Sequence, residues 1–254
     1  MNKRNYILTI AGHDPSGGAG ITSDIKTFEA HGLYGLSVCT AITIQNDRDF
    51  KACNWVSTAD VLAQITVLFE RFQIGVVKIG IVASWESLQL ILIKLHDLNP
   101  ELKIVLDPIL KASAGFDFHG NNHKKVMDSI WRHCFIVTPN YNEIQELYPE
   151  KTVEETLTHM TDFTTIYLKG GHRSDKKGWD EIYQKQMDVI TIPPKATQVF
   201  DKHGSGCVLS SALASNFALG YDLEKACKQA KYYTEQFLNS HESLLGKHTK
   251  IEIK

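Results

Sequence analysis

Paired cysteines are missing from this chain. Its five cysteines stand at 39, 53, 134, 207 and 227 with no CxxC spacing. That leaves no zinc knuckle and no dithiol redox motif, and an odd, scattered set in a large chain suits a reducing compartment. An excess of one charge is missing as well: 27 Lys and Arg stand against 29 Asp and Glu, a formal net charge of -2. A broad basic surface for nucleic acid or an anionic membrane is thereby excluded. No apolar run is long enough to span a bilayer. The first residues, Met1 to Asn5, are polar and lead into a short apolar strand without the long apolar core of a signal peptide. The expectation is a cytoplasmic protein with no nucleic-acid and no membrane partner.

Other absences prune the chemistry. The eleven histidines show no HExxH and no compact zinc spacing. Gly12-His13-Asp14-Pro15-Ser16-Gly17-Gly18 lacks the Gly-Lys-Ser/Thr ending of a phosphate loop and is not a dinucleotide fingerprint. Gly204-Ser205-Gly206 is too compressed for a G-x-S-x-G nucleophile elbow. There is no long linker, internal repeat or low-complexity segment, so 1–254 reads as one domain, with the ending after Leu245 a loose terminus.

What is present is an alternation of strand and helix. Strands are predicted at Tyr6 to Ala11, Gly35 to Ile44, Gly75 to Val82, Lys103 to Leu110, Cys134 to Val137 and Thr164 to Leu168. Helical spacing covers Ile21 to Ala30, Ala59 to Phe72, Trp85 to Leu98, Asn122 to Trp131, 207–219 and 222–239, with Asp222 as N-cap of the last. Trp179 to Tyr183 and Val189 to Ile192 read as an antiparallel pair. Repeated βα units predict a mostly parallel sheet covered by helices on both faces. In such folds ligands bind beyond the carboxyl ends of the strands. The unusual groups fall at those ends: Gly12 to Gly20, Gln45-Asn46, Lys78 to Ile81, Asp107, Asn140 to Glu143 and Lys169 to Gly171.

The stretch Lys202-His203-Gly204-Ser205-Gly206-Cys207 precedes an apolar helix. Mobile glycine backbone and unpaired N–H groups at a helix N-terminus can hold an anion, and a thiolate at Cys207 is favoured there. Asn140 and Glu143 have capping-box spacing, while Glu143 and Asp107 could also order water around Mg²⁺. Lys169, before Gly170-Gly171, could meet a nucleotide phosphate or close a salt bridge. Lys78 is equally readable as structural. Asp24 could orient a polar substrate or support the turn before it. Gln45 could meet a heterocycle edge. His203 binds phosphate or packs the turn.

Taken in order, Thr9-Ile-Ala-Gly-His-Asp-Pro-Ser-Gly-Gly-Ala-Gly-Ile-Thr-Ser-Asp24, Ala41-Ile-Thr-Ile-Gln-Asn46, Val77-Lys-Ile-Gly-Ile81, Val105-Leu-Asp-Pro108, Thr138-Pro-Asn-Tyr-Asn-Glu143, Lys169-Gly-Gly-His172 and His203-Gly-Ser-Gly-Cys207 resemble the hydroxymethylpyrimidine/phosphomethylpyrimidine kinases of the ribokinase-like superfamily. The resemblance implies an α/β fold, a three-layer α/β/α domain with a predominantly parallel sheet. It implies phosphorylation by ATP with Mg²⁺ of 4-amino-5-hydroxymethyl-2-methylpyrimidine and its monophosphate in thiamine synthesis or salvage, and a homodimer. Gly12, Asp24, Gln45 and Ile81 would meet the pyrimidine. Asp107 and Glu143 would belong to the magnesium and phosphate network. Lys169, Gly171, Asn140, His203, Gly204 and Gly206 would line the nucleotide phosphates. Gly204, Ser205, Gly206 and Cys207 would form the anion hole, with Cys207 as the base and Lys169 offsetting charge.

Three departures accompany the resemblance. Ile81 replaces a common methionine, Ser113-Ala114-Gly115 replaces a Lys-Ser-Gly, and the stretch from Glu143 to Lys169 is short. They leave the second phosphorylation and the acceptor range open. A pyridoxal/pyridoxamine kinase and a noncatalytic pyrimidine or nucleotide sensor are the competing readings.

Overall fold

Strands apolar on both sides need cover on both sides, and the chain supplies it by alternating strand and helix. The structure is a computed structural model that describes residues 5–110, 124–171, 173 and 176–251, with 124 and 125 as backbone only. In chain order the elements are β1 (Tyr6–His13), α1 (Gly20–Ala30), β2 (Tyr34–Gln45), β3 (Phe50–Trp55), α2 (Thr58–Arg71), β4 (Ile74–Ile79), α3 (Trp85–Leu98) and β5 (Lys103–Leu106). There follow α4 (Lys124–His133), β6 (Ile136–Val137), α5 (Tyr141–Leu147), α6 (Val153–Thr161), β7 (Thr165–Leu168), β8 (Asp180–Tyr183), β9 (Ile190–Ile192), α7 (Ser205–Ala218) and α8 (Leu223–Leu238). The Ser113-Ala114-Gly115 departure and His172 lie outside the described residues.

Among the described residues the strands form one sheet in the order β3-β2-β1-β4-β5-β6-β7-β8-β9. β2, β1, β4, β5, β6 and β7 run parallel, and β3, β8 and β9 add antiparallel edges. Strand alternation sends side chains to two separate cores. Leu8, Ile10, Ile104, Leu106, Ile166 and Leu168 pack with residues of α2 to α6. Ile7, Val105, Ile136 and Tyr167 pack with α1, α7 and α8. This is the three-layer α/β/α arrangement expected from the strand and helix pattern.

Capping fixes several helix starts. Ser57, Ser84 and Asp222 each accept a backbone N–H from the first turn, and Thr152 closes a capping box with Glu155. The helix α7 is different: every residue from Cys207 to Phe217 is buried. Such a helix is apolar because it lies inside the molecule. It runs between α1 and α8, and its N-terminus emerges at the edge where the parallel strands end.

The structure corrects the sequence reading in four places. β3 was not expected, because Phe50–Trp55 carries a lysine, an asparagine and a cysteine on an edge that needs no apolar face. α6 was not expected within the segment from Glu143 to Lys169; its threonines and glutamates mask the apolar spacing of Leu157 and Met160. β4 and β5 stop sooner than predicted, and β5 stops one residue before Asp107-Pro108, where proline has no N–H to extend a ladder. The described part of the stretch after Leu245, up to Ile251, is anchored: Ile251 N–H donates to the Ala30 carbonyl, and the His248 ring packs on Phe237 and Tyr233.

Candidate active site

The parallel strands deliver their polar ends to one edge, where two buried charge clusters form. The lower one centres on Lys78 of β4, which is 0% exposed, as is Asp24 of α1. Lys78 Nζ donates to both Asp24 oxygens at 3.0 and 2.9 Å. Thr9 Oγ1 of β1 and Ser211 Oγ of α7 also donate to Asp24, at 2.5 and 2.6 Å. Burial alone would lower the Lys78 ammonium, but Asp24, with Cys207 and Asp107 nearby, holds it above its ordinary value. The sequence leaves Asp24 either orienting a substrate or supporting its turn, and the structure gives it four internal hydrogen bonds, to Lys78, Thr9 and Ser211.

The upper cluster joins three strand ends. Lys169, directly after β7, donates from Nζ to Asp107 Oδ1 at 2.8 Å and stands 3.5 Å from Glu143 Oε2. Asp107 also accepts from Thr138 Oγ1 at 3.3 Å and from Ser210 Oγ of α7 at 3.2 Å. Burial raises the Glu143 carboxyl and the Asp107 charge adds to this, while Lys169 opposes it. Burial would lower Lys169, but Asp107 and Glu143 outweigh it and raise the ammonium. The capping box is present too: Asn140 Oδ1 accepts from the N–H groups of Asn142 and Glu143, and Glu143 Oε2 accepts from Asn140 N–H at 2.6 Å. The capping reading is thus present, and the cap holds Glu143 within reach of Lys169. The Asn140 oxygen is committed to the cap. Among the described residues, a side-chain carbon added at Gly171 would meet nothing within 4 Å.

The N-terminus of α7 faces the upper cluster. A Cβ built on Gly206 would lie 3.5 Å from Lys169 Nζ and 3.6 Å from Asp107 Oδ2. Among the described residues no side chain caps this end, and the first i to i−4 bond is donated by Val208 N–H to Gly204 O. The N–H groups from Gly204 to Cys207 precede that bond, and among the described residues they are the donors that a helix start leaves without an i to i−4 partner. Gly204 has φ +77°, and a Cβ there would lie 2.0 Å from the Gly18 carbonyl oxygen. Only glycine fits this crossing, which presses the start of α7 against the 14–19 loop. The expected thiolate is corrected. Cys207 is 7% exposed, and burial pushes its thiol up to about 11, although Lys78 and the Gly20 N–H pull the other way.

His203 was expected at phosphate or packing the turn, and the structure gives it a partner. Its Nε2 lies 2.8 Å from Asp14 Oδ2. Asp14 is 1% exposed and also accepts from Ser16 and from Ala19 N–H. Burial would raise Asp14, but His203, Ser16 and Ala19 together hold it below its ordinary value. This pair ties the loop after β1 to the loop before α7. The sequence signals the carboxylate but not its partner, since an Asp-Pro-Ser turn in a glycine-rich loop places a carboxylate where backbone N–H groups converge.

The remaining expected residues gather along β2 and its neighbours. A Cβ on Gly12 would lie 2.5 Å from Ile81 Cδ1 and 3.5 Å from the Ala41 Cβ, so Gly12, Ile81 and Ala41 touch. Gln45, at the end of β2, is half-buried and bonds through Nε2 to Thr43 Oγ1 at 2.9 Å. Thr43 was not singled out from sequence. Asp180 and Lys231 were not either, yet Asp180 Oδ1 accepts from Gly170 N–H at 2.7 Å and Lys231 Nζ donates to Asp180 Oδ2 at 3.0 Å. They brace the turn that carries Lys169.

Among the described residues no group of three or more His, Cys, Asp or Glu could cage a metal. The donor set of Asp107 and Glu143 still fits Mg²⁺, which takes one or two carboxylates and completes its shell with water and phosphate oxygens. Among the described residues no helix is long and apolar enough to cross a membrane.

The chain is similar to known proteins over most of its length. Residues 14–252 match the family profile described as phosphomethylpyrimidine kinase. The chain is 31% identical over 246 residues to a hydroxymethylpyrimidine/phosphomethylpyrimidine kinase of Rhizobium meliloti, covering 93% of this chain and 91% of that one. It is 32% identical over 223 residues to the Escherichia coli protein of the same description, covering 84% and 83%. Against a bifunctional thiamine biosynthesis protein of Geobacter sulfurreducens, the chain spans 48% of that protein's length. Among solved structures, a phosphomethylpyrimidine kinase from Clostridium difficile superposes with TM-score 0.76 at 32% identity, covering 91% and 98% of the two chains. A Staphylococcus aureus pyridoxal kinase with ADP gives TM-score 0.83 at 20% identity, covering 98% and 95%, a likeness of fold.

Proposed function

The chain belongs to the phosphomethylpyrimidine kinase family, and from that membership we propose that it transfers the ATP γ-phosphoryl to 4-amino-5-hydroxymethyl-2-methylpyrimidine and to its monophosphate. The observation that carries the reading is the approach of Lys169 and Asp107 to Gly206, at the start of α7. A cation beside the N–H groups of a helix start suits a transferring phosphoryl, whose charge spreads over three oxygens.

In this reading Lys169 and the N–H groups from Gly204 to Cys207, Ser205 and Gly206 among them, hold the transferring phosphoryl. Gly171 lines the nucleotide phosphates. Asp107 and Glu143 would hold Mg²⁺, which when bound offsets phosphate charge and templates its oxygens. Gly12, Ile81 and Gln45 form the wall for the pyrimidine ring. The bond from the hydroxymethyl oxygen to phosphorus forms as the bridge to the β-phosphate breaks, and ADP leaves. The hydroxyl proton passes to the Cys207 thiolate, a minor form in the free protein that Lys78 and Gly20 favour. Asp24 acts through Lys78 and His203 through Asp14, each without touching substrate. We propose 1–254 as a single kinase domain, acting in the cytoplasm as a homodimer.

The test is a side-by-side, ATP-dependent product assay with the aminopyrimidine, its monophosphate and pyridoxal. Phosphorylated pyrimidine products are expected, with little from pyridoxal. Failure to phosphorylate either pyrimidine sinks the reading. The likeness to the pyridoxal kinase is one of fold alone and does not favour that substrate.

A further inference from the structure

Residues 41, 43 and 45 share one face of β2, because strand side chains alternate. Ala41 on that face touches the Gly12 and Ile81 contact. Thr43 is 4% exposed, and its Oγ1 donates to the His13 carbonyl at 2.8 Å. A hydroxyl has one hydrogen, and a carbonyl can only accept. The Thr43 hydroxyl is therefore spent as a donor and can offer Gln45 nothing but a lone pair. The carboxamide of Gln45 must turn its nitrogen to Thr43, and that is the arrangement found, Nε2 to Oγ1 at 2.9 Å. The orientation of an amide is usually ambiguous, but here the hydrogen-bond arithmetic settles it.

What remains of Gln45 is Oε1 and one N–H. Among the described residues no hydrogen bond engages Oε1. The side chain thus presents an acceptor next to a donor, in a fixed order, on the face of β2 that also carries Thr43 and, nearer the Gly12 and Ile81 contact, Ala41. The complementary ligand edge is a donor next to an acceptor, which is an amino group beside an unprotonated ring nitrogen. A ring carrying an oxo or hydroxylate oxygen at that position would set lone pair against lone pair.

We propose that Thr43 is a specificity-determining residue, which locks the amide of Gln45 so that the site selects an aminopyrimidine edge and rejects the reversed edge of an oxo ring. The proposal rests on the pyrimidine kinase reading above. It adds that the selectivity is set by a residue that never touches the substrate. Loss of the lock lets the amide rotate and accept either edge, so discrimination falls while phosphoryl transfer persists.

The experiment compares kcat/KM for 4-amino-5-hydroxymethyl-2-methylpyrimidine with that for its 4-oxo analogue, which presents the reversed edge. The parent is expected to favour the amino ring by about 100-fold, as polar mismatches in a built site are poorly tolerated. Thr43→Val keeps the shape and removes the acceptor, and the preference is expected to drop by about tenfold, the worth of one hydrogen bond. Thr43→Ser restores the lone pair and is expected to restore the preference, which a packing role alone would not predict. Thr43→Ala carries the same expectation as the valine variant and serves if valine prevents folding. A parent that uses both rings within twofold overturns the lock, as does a folded valine or alanine variant with the parent's preference. A parent that phosphorylates neither ring is a different result: the pyrimidine reading itself fails, and the lock falls with it.

Discussion

Replacing Lys78 with methionine isolates the physics of the lower cluster. The change keeps most of the side-chain volume and deletes one charge from a pair in which both partners are 0% exposed. Removing one partner of a buried ion pair costs about 3–5 kcal/mol, because the other charge stays buried without its counterion. Asp24 would keep the hydroxyls of Thr9 and Ser211, at 2.5 and 2.6 Å, and these offset part of the loss. The expected cost is therefore at the low end, about 3 kcal/mol, a large share of the roughly 5–15 kcal/mol that keeps a domain folded. In urea this moves the midpoint by about 1 M for a slope near 3 kcal/mol per molar. Trp85 and Trp131 are buried near the same sheet and report the transition by fluorescence. The companion variant Asp24→Asn should lose a comparable amount, since it strands the ammonium. The double variant Lys78→Met/Asp24→Asn should lose clearly less than the two singles added, because it leaves no unpaired charge. A Lys78→Met protein within about 0.5 kcal/mol of the parent would refute the argument, as would strict additivity in the double variant.

Two further expectations concern titration. In the ligand-free protein, the Cys207 thiol stands at about 11, so its alkylation rate by iodoacetamide should climb about tenfold per pH unit from 7 to 10 without a plateau. A plateau near pH 8 would show that Lys78 and Gly20 outweigh burial. The depressed Asp14 carboxyl contributes stability that is present above its ordinary value of 3.8 and is lost as pH falls through the lower folded value. Melting temperatures of the parent and Asp14→Asn should therefore converge below about pH 4, and a gap that stays constant down to pH 3 would refute this linkage.

The sheet and most helices were legible because buried strands and amphipathic helices leave periodic patterns. Trp85–Leu98 matches the predicted helix at both ends, since Ser84 caps it and Leu88, Ile91, Leu92 and Leu95 repeat on one face. Edge elements escaped for the opposite reason: β3 buries too little for any period to show. At the site, sequence located the strand ends and their residue types but not the partners. Asp24 and Lys78 are 54 residues apart, and Asp14 and His203 are 189 apart. No local pattern announces such a pair. The Cys207 environment is not legible locally, because a helix N-terminus favours the anion while burial, which disfavours it, depends on the whole fold.

The two charge clusters also account for the many buried polar groups gathered at the ends of the parallel strands. Buried ion pairs are weak sources of net stability, because desolvation takes back much of the attraction. Their use here is geometric. Asp24 ties β1, α1, β4 and α7 together through Thr9, Lys78 and Ser211. Asp107 ties the ends of β5 and β7 to α7 through Lys169 and Ser210. Both clusters end on α7, one turn and less from Cys207. An apolar core could hold the same strands, but apolar packing sets no direction for a charge. Hydrogen bonds of 2.5–3.2 Å from fixed strand ends do, and they hold the start of α7 in register with Lys169 before any ligand arrives.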